Sequence, residues 1–152
     1  MNHQRIMKSF ILILICMAGS LPLLLAQNPA QEADYYPIVD IPIPGDIVLE
    51  VGGIEVLPGN RIAVSSRRGD IYIVEGAYTD DPDDDKWIPW AIGLHEVLGI
   101  AWKDGWLYAT QRPEVTRMKD EDGDWRADVF ETMSSAWGIN GDYHEYAFGS
   151  RH

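Results

Sequence analysis

Short β-rich runs that alternate with turn residues, and then do so a second time, constrain this chain more than any other feature. Ile54-Glu55-Val56-Leu57 meets the turn Pro58-Gly59-Asn60, and Arg61 to Ser65 meets Arg67-Arg68-Gly69. Asp70 to Val74 then meets the acidic run Asp80-Asp81-Pro82-Asp83-Asp84-Asp85, and Trp87 to Ile92 follows. β-Branched and aromatic residues bounded by Gly, Pro, Asn and Asp at this spacing predict four strands joined as hairpins. The cycle returns with Val97 to Trp102, the turn Lys103-Asp104-Gly105, Trp106 to Thr110, Glu114 to Met118, a second acidic run at Asp120-Glu121-Asp122-Gly123-Asp124, and Ala127 to Met133.

The two cycles keep a common register. Arg61-Ile62-Ala63-Val64-Ser65 aligns with Trp106-Leu107-Tyr108-Ala109-Thr110 at an offset of 45, and Gly53-Ile54 aligns with Gly99-Ile100 at 46. Each acidic run falls between the third and fourth strands of its cycle. A period of about 40 to 50 residues carrying four strands is the signature of a β-propeller blade. His95-Glu96 leads into the second cycle and recurs as His144-Glu145 ahead of Tyr146-Ala147-Phe148-Gly149, where a third cycle begins. The expected fold is therefore all-β, a partial propeller of about two blades plus the start of a third over residues 46–152. Rings of this kind close with about 4 to 8 blades, so the remainder of the propeller is required. The sequence reads as a truncated product, a partial sequence or one segment of a larger ring.

Ahead of the strands lie two segments of different character. Residues 1–26 read as a signal peptide: Arg5 and Lys8, an apolar run from Phe10 to Met17, a Gly19-Ser20-Leu21-Pro22 break, Leu21 to Leu25, and the small residue Ala26 at the cleavage point. The interrupted run is short of the roughly 20 residues that a membrane span needs, so no stable span is expected after cleavage. Residues 27–45, with Pro29, Pro37, Pro42 and Pro44, read as a linker that pairs weakly at most. The expected location is periplasmic or secreted. Cys16 is the one cysteine and lies within the signal, so the mature chain has no thiol, disulfide or cysteine metal site. Removal of Arg5 and Lys8 leaves ten basic residues against twenty-four acidic ones, a formal charge of −14. A nucleic-acid partner is excluded on that balance, because phosphate binding needs a basic surface.

The pieces Gly93-Leu94-His95-Glu96-Val97-Leu98-Gly99, Lys103-Asp104-Gly105 and Asp142 to Gly149 carry a resemblance. From about Leu49 to Arg151 the chain resembles the N-terminal blades of soluble quinoprotein glucose/sorbosone dehydrogenase-like propellers, of the large exported type labelled membrane-bound dehydrogenase. The resemblance implies a six-bladed ring and oxidation of a small-molecule sugar or alcohol with pyrroloquinoline quinone (PQQ) over the central channel, often with Ca2+. It also implies that a histidine at the start of an inner strand removes the hydroxyl proton, and His144 is the position that matches. The interval from His144 to Gly149 is shorter than in the sugar dehydrogenases, and the arginines that contact the quinone would lie beyond His152.

The residues also admit readings of their own. A histidine entering an innermost strand faces the channel mouth, and an ordinary pKa near 6.5 suits proton abstraction there. The competing role for His144, and for His95 one blade earlier, is a hydrogen bond between blades. Asp120, Asp122, Asp124, Asp128 and Glu131 occupy positions 1, 3, 5, 9 and 12 of an EF-hand-like loop, a pattern of hard oxygen donors suited to Ca2+. Against it, Trp125 stands at position 6, where the turn wants glycine, and the alternative is a solvated acidic hairpin loop. Trp87, Trp90, Trp102 and Trp106 are expected in the core or between blades, and Trp137 is the tryptophan placed to reach the channel face. No phosphate loop, GxSxG elbow, HExxH or CxxCH site is present. Three readings remain: an exported PQQ-dependent dehydrogenase propeller, a non-catalytic propeller that binds a protein or glycan, and a truncated inactive fragment.

Overall fold

The computed structural model describes residues 30–79, 81–139, 141 and 146–149. The signal segment and His144 lie outside the described residues. The chain divides into two units, residues 1–38 and 39–152. In the first, the described part holds a short 3-10 turn at Glu32–Asp34, where the Asp34 carboxylate accepts the Gln31 N–H at 2.8 Å.

Among its described residues the second unit contains eight strands: β1 (Val51–Leu57), β2 (Arg61–Ser66), β3 (Ile71–Glu75), β4 (Lys86–Ala91), β5 (Gly99–Lys103), β6 (Trp106–Thr110), β7 (Val115–Lys119) and β8 (Val129–Ser134). They form two four-stranded antiparallel sheets, each in sequential order, β1 to β4 and β5 to β8. Neither sheet closes on itself. Among the described residues helix is confined to two short 3-10 turns, and no helix is long and apolar enough to cross a membrane.

The hairpins form where turn residues tolerate a left-handed backbone. Gly59 and Asn60 have φ of 77° and 57°, and Asp104 and Gly105 have 51° and 81°. Such pairs twist in the sense of the strands they join. Register then assigns each side chain to a face. Ala63 pairs with Ile73, and Ile73 with Ile88, on the face of the first sheet turned toward the second. Ile100 pairs with Ala109, and Leu107 with Met118, on the face of the second sheet turned toward the first. Ala63, Ile73, Ile100, Leu107, Ala109 and Met118, with Leu57, Ile71, Trp90, Ala91 and Val97, form one buried cluster that draws on both sheets, and Ile88 packs against it.

The two sheets approach most closely along β1 and β5. Gly52 and Gly53 permit this. A Cβ on Gly52 would sit 2.0 Å from the Val97 carbonyl oxygen, and one on Gly53 would meet the Ile100 nitrogen at 3.3 Å. The Ser65 hydroxyl donates to the Val97 carbonyl at 3.3 Å across the same seam.

The linker makes more contact than its composition suggests. Ile41, Ile43 and Leu49 cover part of the other face of the first sheet, and the Trp87 indole N–H donates to the Pro42 carbonyl at 2.9 Å. The tryptophans separate by face. Trp90 is 2% exposed and meets Trp102 and Trp125 between the sheets, with centroids 6.4 and 6.3 Å away. Trp87 and Trp106 lie instead on the two outer faces, where Trp87 meets Tyr72 edge-on and Trp106 sits under the Arg117 guanidinium at 4.1 Å.

Candidate functional site

Turns alternate ends in an antiparallel meander, so the β2–β3 turn, the β4–β5 connection and the β6–β7 turn gather at one end. The acidic β7–β8 loop belongs to the opposite end. These two places hold the candidate chemistry.

At the first end, the β4–β5 connection is stitched to the turn of each sheet. The Leu94 N–H donates to the Gly69 carbonyl at 2.8 Å, and the Arg112 N–H donates to the His95 carbonyl at 3.0 Å. Gln111, almost fully buried, accepts the His95 N–H at 2.6 Å and donates to the Thr116 hydroxyl at 2.6 Å. That hydroxyl donates to Glu114 at 2.5 Å, and Glu114 also accepts from Thr132 at 3.0 Å. The polar groups of the turn thus satisfy one another, as the burial of Gln111 and Thr116 demands.

Glu96 is the electrostatic hinge of this end. Its carboxylate lies 3.1 Å from Arg112, 3.8 Å from Arg67 and 3.7 Å from His95 Nε2. Arg67 also pairs closely with Glu50, and that hydrogen bond, followed by the charge attraction of Glu50, raises the Arg67 pKa. Arg67 and Arg112 stand at the 45-residue offset of the repeat, each just past the second strand of its cycle. That equivalence was the sequence signal for the pair.

Beside Arg112 opens a groove of about 440 Å³, lined by Thr110, Val115, Trp137, Ile139, Tyr146 and Phe148 among others. The Trp137 indole N–H donates to the Arg112 carbonyl at 2.8 Å, and Tyr146 and Phe148 meet edge-on at 6.1 Å. Trp137 thus lines the groove at this end, where its position relative to a channel face is not defined by the two sheets. His95 is half exposed beside Glu96 and is the histidine that the described residues bring to this end.

At the opposite end, Asp120, Asp122 and Asp124 each offer a carboxylate oxygen within 4.8 Å of the others. Loop N–H groups hold them: Gly123 and Trp125 donate to Asp120 at 2.7 and 2.8 Å, and Arg126 donates to Asp124 at 2.8 Å. Asp128 joins the same loop by accepting the Glu121 N–H at 2.8 Å. Glu131 is not brought to the triplet. It lies on β8 and pairs with Arg117 at 2.5 Å. Trp125, at the position where the turn wants glycine, has φ 61°. Its indole is held against Trp90 and Trp102 and under the Arg61 guanidinium at 4.5 Å, and this packing offsets the steric cost of a left-handed residue.

No protein-family model, curated protein or solved structure matches the chain.

Proposed function

We propose that the two sheets are successive blades of an exported β-propeller of the PQQ-dependent sugar or alcohol dehydrogenase kind, with the remainder of the ring required for activity. One observation carries the reading. Two four-stranded meanders of equal order stack along their first strands, and their loop ends bring His95, Glu96, Arg67 and Arg112 beside an aromatic groove.

The groove suits a planar anionic ligand, since Trp137 and Tyr146 offer aromatic rings and Arg112 a guanidinium whose carbon lies 6.0 Å from the Tyr146 ring. When bound, a quinone supplies the hydride acceptor. In this reading His144 accepts the hydroxyl proton of the substrate, and Glu96 holds the neighbouring arginines in place. Asp120, Asp122 and Asp124 hold a Ca2+ ion at the far end in a structural role. Oxygens that bind one calcium at about 2.4 Å cannot lie much more than twice that distance apart, and the triplet meets this limit.

The test is dye reduction by the protein isolated from its native source, with PQQ and Ca2+ added, against a panel of sugars and alcohols. Substrate-dependent reduction is expected, and His144→Ala should lower turnover about 10²- to 10⁴-fold. Full activity of His144→Ala would remove the assigned base. No turnover with any sugar or alcohol would favour the non-catalytic propeller.

A further inference from the structure

The two sheets bury opposite faces of the same repeat. Ile100 corresponds to Ile54, Leu107 to Ile62 and Ala109 to Val64. In the second sheet these residues belong to the buried cluster shared with the first, and Ile100 is 6% exposed. In the first sheet their counterparts lie on the outer face, turned away from that cluster, where Ile54 is 60% exposed and Val56 62%.

A strap, residues 41–49, crosses part of this outer face. Ile41, Ile43 and Leu49 line a groove of about 170 Å³ together with Ile54, Ile62 and Val64 of the sheet, and Ile43 is itself half exposed. The strap is held to the sheet by the hydrogen bond from the Trp87 indole to the Pro42 carbonyl, while the Ile47 N–H turns back to the Pro44 carbonyl at 3.0 Å. Pro42 and Pro44 have no N–H to give to a ladder, and residues 39–50 form no strand.

At the seam between the two sheets, by contrast, one meets the other directly. A Cβ on Gly52 would have no room beside the Val97 carbonyl oxygen, and the Ser65 hydroxyl reaches that same carbonyl. Sheets packed face to face lie about 10 Å apart, a gap that their own side chains fill. A crossing segment of chain does not fit within it. The strap and a packed sheet are therefore alternative occupants of the outer face.

We propose that residues 41–49 are a placeholder: the outer face of the first sheet is the docking surface for a later sheet of this same chain, beyond His152, and the strap leaves the face when that sheet packs. The occupant is argued from continuity with the existing seam, because the outer face repeats the positions that the second sheet presents to the first. The sparse anchorage of the strap suits displacement. The inference rests on the reading of the sheets as blades of a ring, and not on the oxidation of a sugar or alcohol.

The full-length protein tests it through two variants, Val56→Cys and Ile43→Cys, each treated with a maleimide under native conditions and read by peptide mass. The cysteine at 43 should react as fast as in urea, and the cysteine at 56 about 100-fold more slowly, as a covered position does. Fast reaction at both would show that no sheet covers the face, slow reaction at both that the strap is trapped beneath its cover, and fast reaction at 56 alone that the strap keeps its place. Each of these outcomes overturns the proposal, as does a natural chain that ends at His152. Wild type gives a check free of substitution: thermolysin should cut between residues 39 and 49 and leave the rest of the chain intact, and resistance of that segment counts against displacement. Ile41→Asp should leave the melting temperature of the full-length protein unchanged, whereas a clear fall would make the strap a fixed part of the fold. Dye reduction on the same preparations separates the two readings. An active enzyme in which position 56 reacts fast loses the placeholder and keeps the dehydrogenase, and the expected labelling in a protein inert to every sugar and alcohol does the reverse.

Discussion

Trp125 shows how a side chain can override a local backbone preference. Glycine reaches φ near 60° at no steric cost, and tryptophan does not. Here the indole is fixed between Trp90, Trp102 and Arg61, so the packing of a large ring selects the backbone that the loop needs. With that turn in place, the three aspartates converge, and Asp122 is the member best placed to report on them because it serves the loop through a single 3.2 Å hydrogen bond to Asp124. Calorimetry with Ca2+ should show a heat of binding for wild type that Asp122→Ala loses, while equal heats would dismiss the proposed ion. Tyr72 makes a second prediction at this scale. Burial, and then the negative charges of Asp70 and Asp46, raise its pKa above the ordinary 10.0. A raised folded pKa means that the stabilisation is complete below the unfolded value and is lost as pH rises through the folded one. Urea midpoints should fall above pH 10 in wild type and fall less in Tyr72→Phe; parallel curves would show that Tyr72 is not the titrating group.

At the scale of elements, the eight strands were legible because their turns are spelled out in residues with one conformational meaning. Pro58-Gly59-Asn60 and Lys103-Asp104-Gly105 give positive φ where the hairpins need it, and alternation of apolar residues gives the rest. What was not legible is which face meets which. Period-two alternation places Ile54 and Val56 together on one face but does not say that Ile41 and Ile43 only partly cover it. Val97 illustrates the same limit: it reads as strand, yet it lies ahead of β5, where its carbonyl accepts the Ser65 hydroxyl at 3.3 Å. The site was half legible. The aspartate triplet follows from spacing, whereas the grouping of Arg67, Glu96 and Arg112 depends on three turns meeting at one end. Two glycines in that region separate conformational freedom from space. Gly69 (φ 99°) and Gly93 (φ 83°) are both left-handed, but a Cβ on Gly69 would lie 2.0 Å from the Leu94 carbonyl oxygen, while none would touch a Cβ on Gly93 within 4 Å. Gly93→Ala should cost about 1 kcal/mol and Gly69→Ala clearly more, measured by chemical denaturation. Equal losses would mean that the close approach of Leu94 does not constrain the β2–β3 turn.

At the scale of the whole strand-bearing unit, the question is whether the two sheets are separate objects or one. Each has its own complete hydrogen-bond ladder, and by that measure either could persist alone. The apolar side chains argue otherwise, because the buried cluster takes Leu57, Ile71, Ile73 and Trp90 from one sheet and Ile100, Leu107, Ala109 and Met118 from the other. A four-stranded meander with one apolar face uncovered buries too little surface to offset its conformational entropy. Loss of the seam is therefore loss of both sheets. Met118 tests this from the far side: it lies on β7, fully buried, and it contributes no hydrogen bond or charge through its side chain to the first sheet. Met118→Ala should cost about 2–5 kcal/mol by leaving a cavity in the shared cluster. If the sheets fold as one, amide hydrogen exchange should lose the same free energy of protection at Ile73 in β3 as at Leu107 in β6, and tryptophan fluorescence should report a single transition at a lower denaturant midpoint. Loss of protection in β6 and β7 with β3 unchanged would show instead that the first sheet stands without the second, and the stacking along β1 and β5 would then be a contact between independent units.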